Sequence, residues 1–200
     1  MNPTAYFDTL FLANILTELV EGFSKSEIHL FSYAGCLLWL YDQKPYSDWD
    51  YDFISSSTGL PYSKDIDQAL EDSELLGFVK EGKDLFVLTG NGRNELNLLL
   101  DFESNQLRQE YLEGAADSLL VLTPGQIREA LEYDPNLAYL KNRKQSEWLL
   151  REPDRDRIYS NFSELRKFLT TESSDLAVPL ITWLKYLLQI GRRNGILTSN

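Results

Sequence analysis

Apolar side chains recur at steps of three and four residues over most of this chain, which is the spacing of one face of an α-helix. Near the amino end, this spacing predicts a helix over residues 4–22, with Gly22 as its stop. A second helix is predicted from an N-cap at Ser26 to about Tyr41. Because this second helix is apolar on nearly all sides, we expect it to be central and buried.

The pattern becomes irregular after Pro45, where it predicts shorter elements and a β-hairpin. The expected ranges are 48–54 for a short aromatic and acidic helix, 63–76 for a helix capped by Ser63, 77–80 and 84–88 for two strands, and 91–108 for a further helix opened by Thr89. The core face of the helix at 63–76 is expected to consist of Ile66, Ala69, Leu70 and Leu76. The two strands flank a turn at residues 81–83, where Gly82 can supply a positive φ.

Beyond residue 108 the helical spacing returns, and the fold class is therefore mainly α. The helices are expected at 109–121, 124–133, 137–150, 162–170 and 179–191. Thr123 and Pro124 carry one of the start signals, an N-cap followed by proline at the first helical position. The predicted units are an amphipathic helix at 1–23, a domain at 24–107 and a helical carboxy-terminal domain at 108–200.

The order of three helices, a β-hairpin and a fourth helix is that of a winged helix. Residues 75–96, LLGFVKEGKDLFVLTGNGRNEL, also resemble the wing of many prokaryotic winged-helix proteins. In those proteins a glycine precedes the first strand, a leucine-threonine pair follows the second strand, and a glycine lies in the next helix; Gly77, Thr89 and Gly92 take these places here. The resemblance implies a winged-helix domain at 24–107. It departs at Gly90-Asn91, where the family has better helix formers, so the fourth helix is expected to start late.

Composition bears on the compartment of the protein. A hydrophobic content of 43%, with 12% aromatic residues, is enough for a core, so extensive disorder is not expected. Cys36 is a lone cysteine, which excludes an internal disulfide framework and favours a reducing environment. The longest apolar tract, 176–190, is shorter than a bilayer requires, and the first residues lack the basic stretch of a signal peptide. We therefore expect a cytoplasmic protein with no membrane partner.

The net charge of -12 is unevenly distributed along the chain. Residues 1–100 carry 6 Lys and Arg against 16 Asp and Glu, whereas residues 101–200 carry 13 against 15. The predicted third helix, at 62–76, has one lysine against five acidic residues. In DNA-binding winged helices this helix and the wing need Lys and Arg to contact phosphates. The charge therefore disfavours direct reading of DNA by this module.

Catalytic chemistry has little support in the sequence. His29 and Cys36 are seven residues apart and share a helix face, but a place in the core explains them better than a nucleophile and its base. Asp48, Asp50 and Asp52 can in principle hold a cation, although a solvated acidic helix face is the favoured interpretation. No zinc-ligand spacing, phosphate-binding glycine loop or serine elbow is present. We therefore predict no enzyme activity and assign no catalytic, cofactor-binding or metal-binding residue.

Binding residues are predicted in two places. A protein-partner interface is expected where aromatic side chains are dense, because Tyr and Trp bury a large area at small entropic cost. Its members are Tyr46, Trp49, Tyr51 and Tyr62. A weak nucleic-acid contact is possible in the mixed basic segment 141–157, which also contains Trp148, although a solvated helix end with local ion pairs is favoured there. Its basic members are Lys141, Arg143, Lys144, Arg151, Arg155 and Arg157.

A winged helix with acidic surfaces and helical additions resembles the accessory subunits of SMC-type ATPase complexes. More narrowly, the size and layout are similar to the middle components of bacterial three-component ABC/SMC defence systems, the Lamassu-like group. The resemblance implies an antiviral adaptor that binds an SMC-like ATPase and an effector nuclease, with DNA reached only weakly or through the complex. The alternative is a winged-helix DNA-binding transcription regulator.

Overall fold

The protein is mainly helical, as predicted, with two small β-hairpins. A computed structural model describes residues 1–134, 137, 148–152, 154–169 and 175–197. The helices are α1 (Pro3–Val20), α2 (Lys25–Tyr41), α3 (Lys64–Leu75), α4 (Gly90–Leu100), α5 (Glu103–Asp117), α6 (Pro124–Glu132), α7 (Asp154–Phe168) and α8 (Ala177–Leu197). Short 3-10 helices cover Tyr46–Trp49 and Ser118–Leu120. The strands are β1 (Ile54–Ser55), β2 (Pro61–Tyr62), β3 (Val79–Glu81) and β4 (Phe86–Leu88), paired antiparallel as β1-β2 and β3-β4.

Polar residues at the helix starts explain where the first helices begin. The side chain of Asn2 accepts hydrogen bonds from the backbone N–H groups of Thr4 and Ala5, which have no partner inside α1. The cap of α2 lies two residues before the predicted Ser26: the N–H of Ser24 donates to the Glu27 carboxylate at 2.7 Å. Near the middle of the chain, Thr123 caps α6 as predicted.

Helix α2 is the central element of the fold, which confirms the prediction made from its apolar pattern. All of its residues from Ile28 to Leu40 are buried. It packs most extensively against α5, and also against α1, α3, α7 and α8. A helix that is apolar all round is stable only with neighbours on every side, and α2 has them.

The hairpin of β3 and β4 is extended at one edge by the segment between α1 and α2. Val79 pairs with Leu88, and the Gly82 N–H donates to the Leu85 carbonyl in the turn. Phe23 and Phe86 exchange backbone hydrogen bonds at 2.8 and 2.9 Å. The chain entering α2 therefore lies beside β4, and the hairpin is anchored to the helical core.

Glycines are required at two positions around this hairpin. Gly77 follows α3 with a φ of 72°, a left-handed conformation that side chains rarely adopt. Gly92, in α4, approaches β3 so closely that an added Cβ would lie 2.3 Å from the carbonyl oxygen of Phe78. This confirms that Gly92 permits close packing. Helix α4 nevertheless starts at Gly90, so the predicted late start is wrong; the Thr89 hydroxyl accepts from the Gly92 N–H and supports the first turn.

Several predicted helices have different bounds in the structure. The helix expected at 48–54 is a 3-10 turn followed by β1. The helix expected at 91–108 is interrupted, because the N–H of Phe102 and the side chain of Asn105 both bond to the carbonyl of Leu99 and close the end of α4. The helix expected at 162–170 begins earlier, as α7, and the one expected at 179–191 extends in both directions, as α8.

The helix predicted at 137–150 lies mostly outside the described residues. Its last residues are not helical: the N–H of Leu149 donates to the carbonyl of Phe53 at 2.8 Å, Trp148 pairs with Ile54, and Leu150 has a φ of 62°. This short contact ties the later part of the chain to the first hairpin.

The predicted boundary between residues 107 and 108 falls inside α5, which continues without a break to Asp117. Helix α1, predicted as a unit of its own, packs against α2, α3, α4 and α5. One cluster of buried apolar residues runs from α1 through α8. None of the helices in the described part of the chain is long and apolar enough to cross a membrane.

Candidate functional site

The exposed residues of α3, Leu76 and the β3-β4 hairpin form one candidate site, which we call the α3–wing surface. The buried face of α3 consists of Ile66, Ala69, Leu70 and Ser73. Leu75 and Leu76 come after the last buried position and are 85% and 56% exposed. Leu85, in the hairpin turn, is 38% exposed. Leu75 and Leu76 thus face solvent on this surface, and Leu85 is partly exposed.

The charged residues of the α3–wing surface are predominantly acidic. Glu71 and Glu74 are exposed and Asp65 is half-exposed, whereas Lys64 is the one basic residue of α3. A cation from α2, Lys25, pairs with Glu74 at 3.3 Å, but both side chains are solvent-accessible, so the pair contributes little. An acidic surface of this kind repels a phosphate backbone.

His29 holds the start of α3 in place. Its Nδ1 accepts a hydrogen bond from the backbone N–H of Ser63 at 3.2 Å, and its ring packs on Tyr62 at 4.8 Å between centroids. Burial lowers the pKa of His29 to about 4, although the nearby Asp67 carboxylate opposes the shift. The imidazole is therefore neutral near pH 7, with its proton on Nε2. This is a structural role: it connects α2 to α3.

Cys36 is fully buried, and burial raises the pKa of its thiol well above the ordinary value. A thiol of this kind stays protonated at neutral pH and is a poor nucleophile. The core interpretation of His29 and Cys36 therefore fits their environments.

The four aromatic residues predicted as a partner interface do not form one exposed surface. Trp49 and Tyr51 are buried in the core, so the expectation that they face solvent is wrong. Tyr46 and Tyr62 are partly exposed, and each donates its hydroxyl to a carboxylate, Tyr46 to Asp52 and Tyr62 to Asp67.

An alternating pattern in the sequence could have revealed this burial. Residues 49–53 read Trp-Asp-Tyr-Asp-Phe, and the aromatic residues are buried while the aspartates are exposed. A period of two is the signature of an extended chain with one face in the core. A helical period was assumed for this segment instead, and that assumption put the aromatic side chains on the surface.

A buried ion pair lies beneath Trp49 and Tyr51. The Arg108 guanidinium donates to both oxygens of Asp8, at 2.6 and 2.7 Å, and stacks 3.7 Å above the Trp49 ring. The Tyr51 hydroxyl donates to the same carboxylate and also contacts Ser32. Burial by itself lowers the pKa of Arg108, but the Asp8 carboxylate raises it, and the net shift is upward. The pair joins α1 to α5; it was missed because its partners are 100 positions apart in the chain.

The residues predicted as a nucleic-acid contact are only partly within the described residues. Lys141, Arg143 and Lys144 lie outside them. The Arg151 guanidinium lies 5.3 Å from the centre of the exposed Trp148 ring.

The other two predicted arginines lie on α7. Arg155 pairs with Glu152 at 2.8 Å and reaches the ring of Tyr46 at 6.0 Å, so it joins one predicted binding set to the other. Arg157 lines a groove between α7 and α8. The three described arginines therefore have different environments: Arg155 is in a local ion pair, Arg151 lies beside Trp148, and Arg157 lines the groove.

The carboxylates at 48–52 accept hydrogen bonds from different side chains and do not share one ligand site. Asp50 accepts a hydrogen bond from the Thr4 hydroxyl, and Asp52 accepts one from Tyr46. Among the residues that the structure describes, no group of three or more His, Cys, Asp or Glu side chains could hold a metal ion.

Comparison of the chain with family models, with curated proteins and with solved structures gives no significant match. The features that bear on function are therefore those of the chain itself, above all the charge and the exposed leucines of the α3–wing surface.

Proposed function

We propose that this protein is a non-catalytic adaptor subunit, built on a winged helix, that binds protein partners through its α3–wing surface. The observation that carries the proposal is the pair Leu75 and Leu76, exposed at the end of an acidic helix. Large apolar side chains grouped on an exposed surface are typical of sites that a partner covers. A polar rim around an apolar centre is the usual anatomy of a protein-protein interface.

The order of elements supports the winged-helix part of the proposal. Helices α1, α2 and α3 precede the hairpin of β3 and β4, and the Phe23 segment between the first two helices pairs with β4. Three helices followed by a hairpin that gains an edge from the earlier chain is the arrangement expected of this fold. In this interpretation α1 belongs to the domain, which would begin near residue 3 rather than at 24.

The charge favours a protein over DNA as the ligand of this surface. A DNA-binding winged helix gains affinity by releasing counterions when Lys and Arg contact phosphates. Residues 62–76 carry a balance of -4, and the wing residues 80–84 balance to zero. The surface therefore suits a partner with basic side chains around an apolar patch.

The resemblance to accessory subunits of SMC-type ATPase complexes suggests what the partner is. We assign it as an SMC-like ATPase of a Lamassu-like antiviral complex, with an effector nuclease as a further component. The adaptor would contribute binding energy and orientation, and the chemistry would be that of the partners.

The test is an affinity purification of the tagged protein from its native host, with washes at high salt and mass spectrometry of what remains bound. The wild-type protein should retain a large ATPase and a nuclease, because apolar anchors survive salt. The double variant Leu75→Ser, Leu76→Ser should lose them. Leu98→Ser is the matched control, since Leu98 is 65% exposed but lies on α4. Recovery of the wild-type chain alone, or equal recovery with all three proteins, contradicts the proposal.

A DNA-binding transcription regulator is the second candidate, favoured by the stacking of Arg151 on Trp148. Aromatic and basic side chains together are typical of nucleic-acid contacts. Nanomolar binding to the DNA upstream of its own gene at physiological salt, lost in Arg151→Ala, would establish this function instead.

A further inference from the structure

An open apolar groove of about 620 Å³ runs between α7 and α8, well separated in sequence from the α3–wing surface. Its floor is Trp183, whose ring packs edge-on against Phe162 at 5.6 Å between centroids. Leu165 and Ile190 line its walls. At its rim, Phe168 and Tyr186 are 80% and 52% exposed, so two aromatic rings face solvent beside an unfilled cavity.

The dimensions of the groove suit one face of a short helix. Its lining residues extend from Arg157 to Phe168 on α7, which is about 16 Å at the rise of an α-helix. On α8 they extend from Thr182 to Ile190, which is about 12 Å. An amphipathic helix places its anchors at i, i+3 or i+4, and i+7, a length of about 10 Å. Two to three turns of such a helix can therefore lie along the groove.

The charge around the groove is opposite to that of the rest of the molecule. Residues 1–134 carry 8 Lys and Arg against 24 Asp and Glu, a balance of -16, whereas helices α7 and α8 together carry 7 against 3, a balance of +4. Helix α8 contains no acidic residue at all. Acidic side chains are thus repelled from most of this protein and attracted to these two helices.

Two exposed cations flank the groove on α8. Lys185 and Arg193 follow the lining residues Thr182 and Ile190 by three positions, the spacing of neighbours along one helix face. The one carboxylate that lines the groove, Glu164, is paired with Lys167 at 2.5 Å, so its charge is compensated. An acidic side chain of a ligand would therefore meet a positive rim.

From this combination of shape and charge we infer that the α7–α8 groove binds a short amphipathic helix of a partner protein, with leucine-type anchors on one face and acidic side chains at its edges. The inference rests on the adaptor function proposed above, but it concerns a second surface of opposite charge. The same adaptor would then bind two different partners, and neither would bind at the other's site because the two surfaces have opposite charge.

Two other ligands fit the groove less well than an acidic amphipathic helix does. One is a helix from a second copy of this chain, and the other is a nucleic acid. The acidic helix α3 has its apolar face buried in its own core, so it cannot offer that face to another molecule. Nucleic acid requires several available cations, but Arg166 of α7 is bonded to Asp42 and to the carbonyl of Tyr41. The test below therefore includes self-association of the protein and binding of a nucleic acid among its outcomes.

The test uses the full-length protein and a synthetic fluorescent peptide of about fourteen residues, with leucines at i, i+4 and i+7 and glutamates at its edges. The matched peptide has lysines in place of the glutamates. Fluorescence anisotropy should show binding of the glutamate peptide at least about tenfold tighter than binding of the lysine peptide, with the preference reduced at high salt. The double variant Phe168→Ala, Tyr186→Ala should weaken it by about tenfold, because it removes the exposed rings of the rim.

A charge exchange makes the test sharper. Lys185→Glu with Arg193→Glu should reverse the preference between the two peptides, since both side chains are exposed and the fold does not depend on them. Circular dichroism checks that each variant keeps its helix content. The double variant Leu75→Ser, Leu76→Ser should bind the peptide like the wild type. If that variant loses the ATPase but binds the peptide, the two surfaces are independent.

Three results overturn the inference. One is equal affinity for the two peptides. Another is binding that does not change in Phe168→Ala, Tyr186→Ala. The third is tighter binding of a duplex or single-stranded oligonucleotide, or self-association of the protein, with the same dependence on Phe168 and Tyr186. Loss of the ATPase in the purification while peptide binding persists would count against the proposed function alone.

Discussion

The α3–wing surface and the α7–α8 groove differ in almost every respect that matters for recognition. The first is acidic and marked by exposed leucines at the end of a helix, whereas the second is a groove lined by aromatic rings between two helices of net positive charge. Exposed apolar anchors can insert into a partner's pocket, whereas a groove receives the partner's anchors. The comparison teaches that one small helical chain can present two surfaces of opposite charge and different shape, which we propose as two interfaces. Three predictions test how independent they are.

The largest effect is expected from Arg108→Leu. It leaves Asp8 as a buried carboxylate without its cation, and breaking a buried pair in this way costs about 3–5 kcal/mol. Because α5 packs against α1, α2 and α8, both surfaces should lose protection together in hydrogen exchange. Urea unfolding measures the loss of stability. The control is Lys25→Met, which removes the exposed pair with Glu74 and should cost less than about 1 kcal/mol. A similar loss of unfolding free energy in Arg108→Leu and Lys25→Met would show that the Asp8 site is not buried as described.

A smaller effect, confined to one surface, is expected from acid. The folded protein holds the pKa of His29 at about 4, below its ordinary value of 6.5. The unfolded chain therefore binds the extra proton first, and stability is lost as the pH falls from about 6.5 to about 4. The loss attributable to His29 is at most about 3 kcal/mol.

The pH dependence of unfolding in urea, compared between wild type and His29→Gln, isolates this contribution. The variant should lose less stability over the same interval. In hydrogen exchange, the backbone amides of α3 should lose their protection at a higher pH than those of α7 and α8. Identical slopes for the two proteins would mean that the imidazole is solvated rather than buried.

The smallest effect concerns the packing of the wing. Gly92→Ala would place a Cβ 2.3 Å from the backbone oxygen of Phe78, so the two elements must move apart at a cost of about 1–3 kcal/mol. Gly90→Ala is the matched control in the same helix, since an added Cβ there meets nothing within 4 Å. Alanine favours helix over glycine, so Gly90→Ala should be neutral or stabilising by less than about 1 kcal/mol. Thermal unfolding compares them, and equal melting temperatures would contradict the close approach of α4 to β3.

Local signals in the chain predicted the elements that depend on local physics. The unbroken apolar run of α2 predicted a buried helix, and Thr123 with Pro124 predicted the start of α6. The hairpin around Gly82 was predicted correctly from a polar, glycine-containing turn between two short apolar strands. The positive φ expected at Gly82 was wrong, because Gly82 is not among the positive-φ glycines of the described residues. These features need no information from distant parts of the chain.

Features that depend on distant contacts were predicted poorly. Trp49 and Tyr51 were placed on the surface, although their alternation with aspartates indicated an extended segment with one buried face. The long helix expected over 91–108 is interrupted after Leu100, where Asn105 bonds back to Leu99. Leu76 was expected on the core face of the helix at 63–76, and that expectation is wrong, because Leu76 is 56% exposed. The periodic pattern of the helix did not reveal where the core ends.

The amino-acid sequence by itself determined the mainly helical class, the central place of α2, the hairpin and the acidic character of the first hundred residues. These follow from spacing, capping and charge, which act between near neighbours or simply add up along the chain. Only the tertiary structure decided that Arg108 meets Asp8 and that Leu75 and Leu76 stay exposed. It alone placed Phe168 and Tyr186 beside one groove. Each of these depends on which surfaces the packing of helices covers and which it leaves open, and packing is a property of the whole chain.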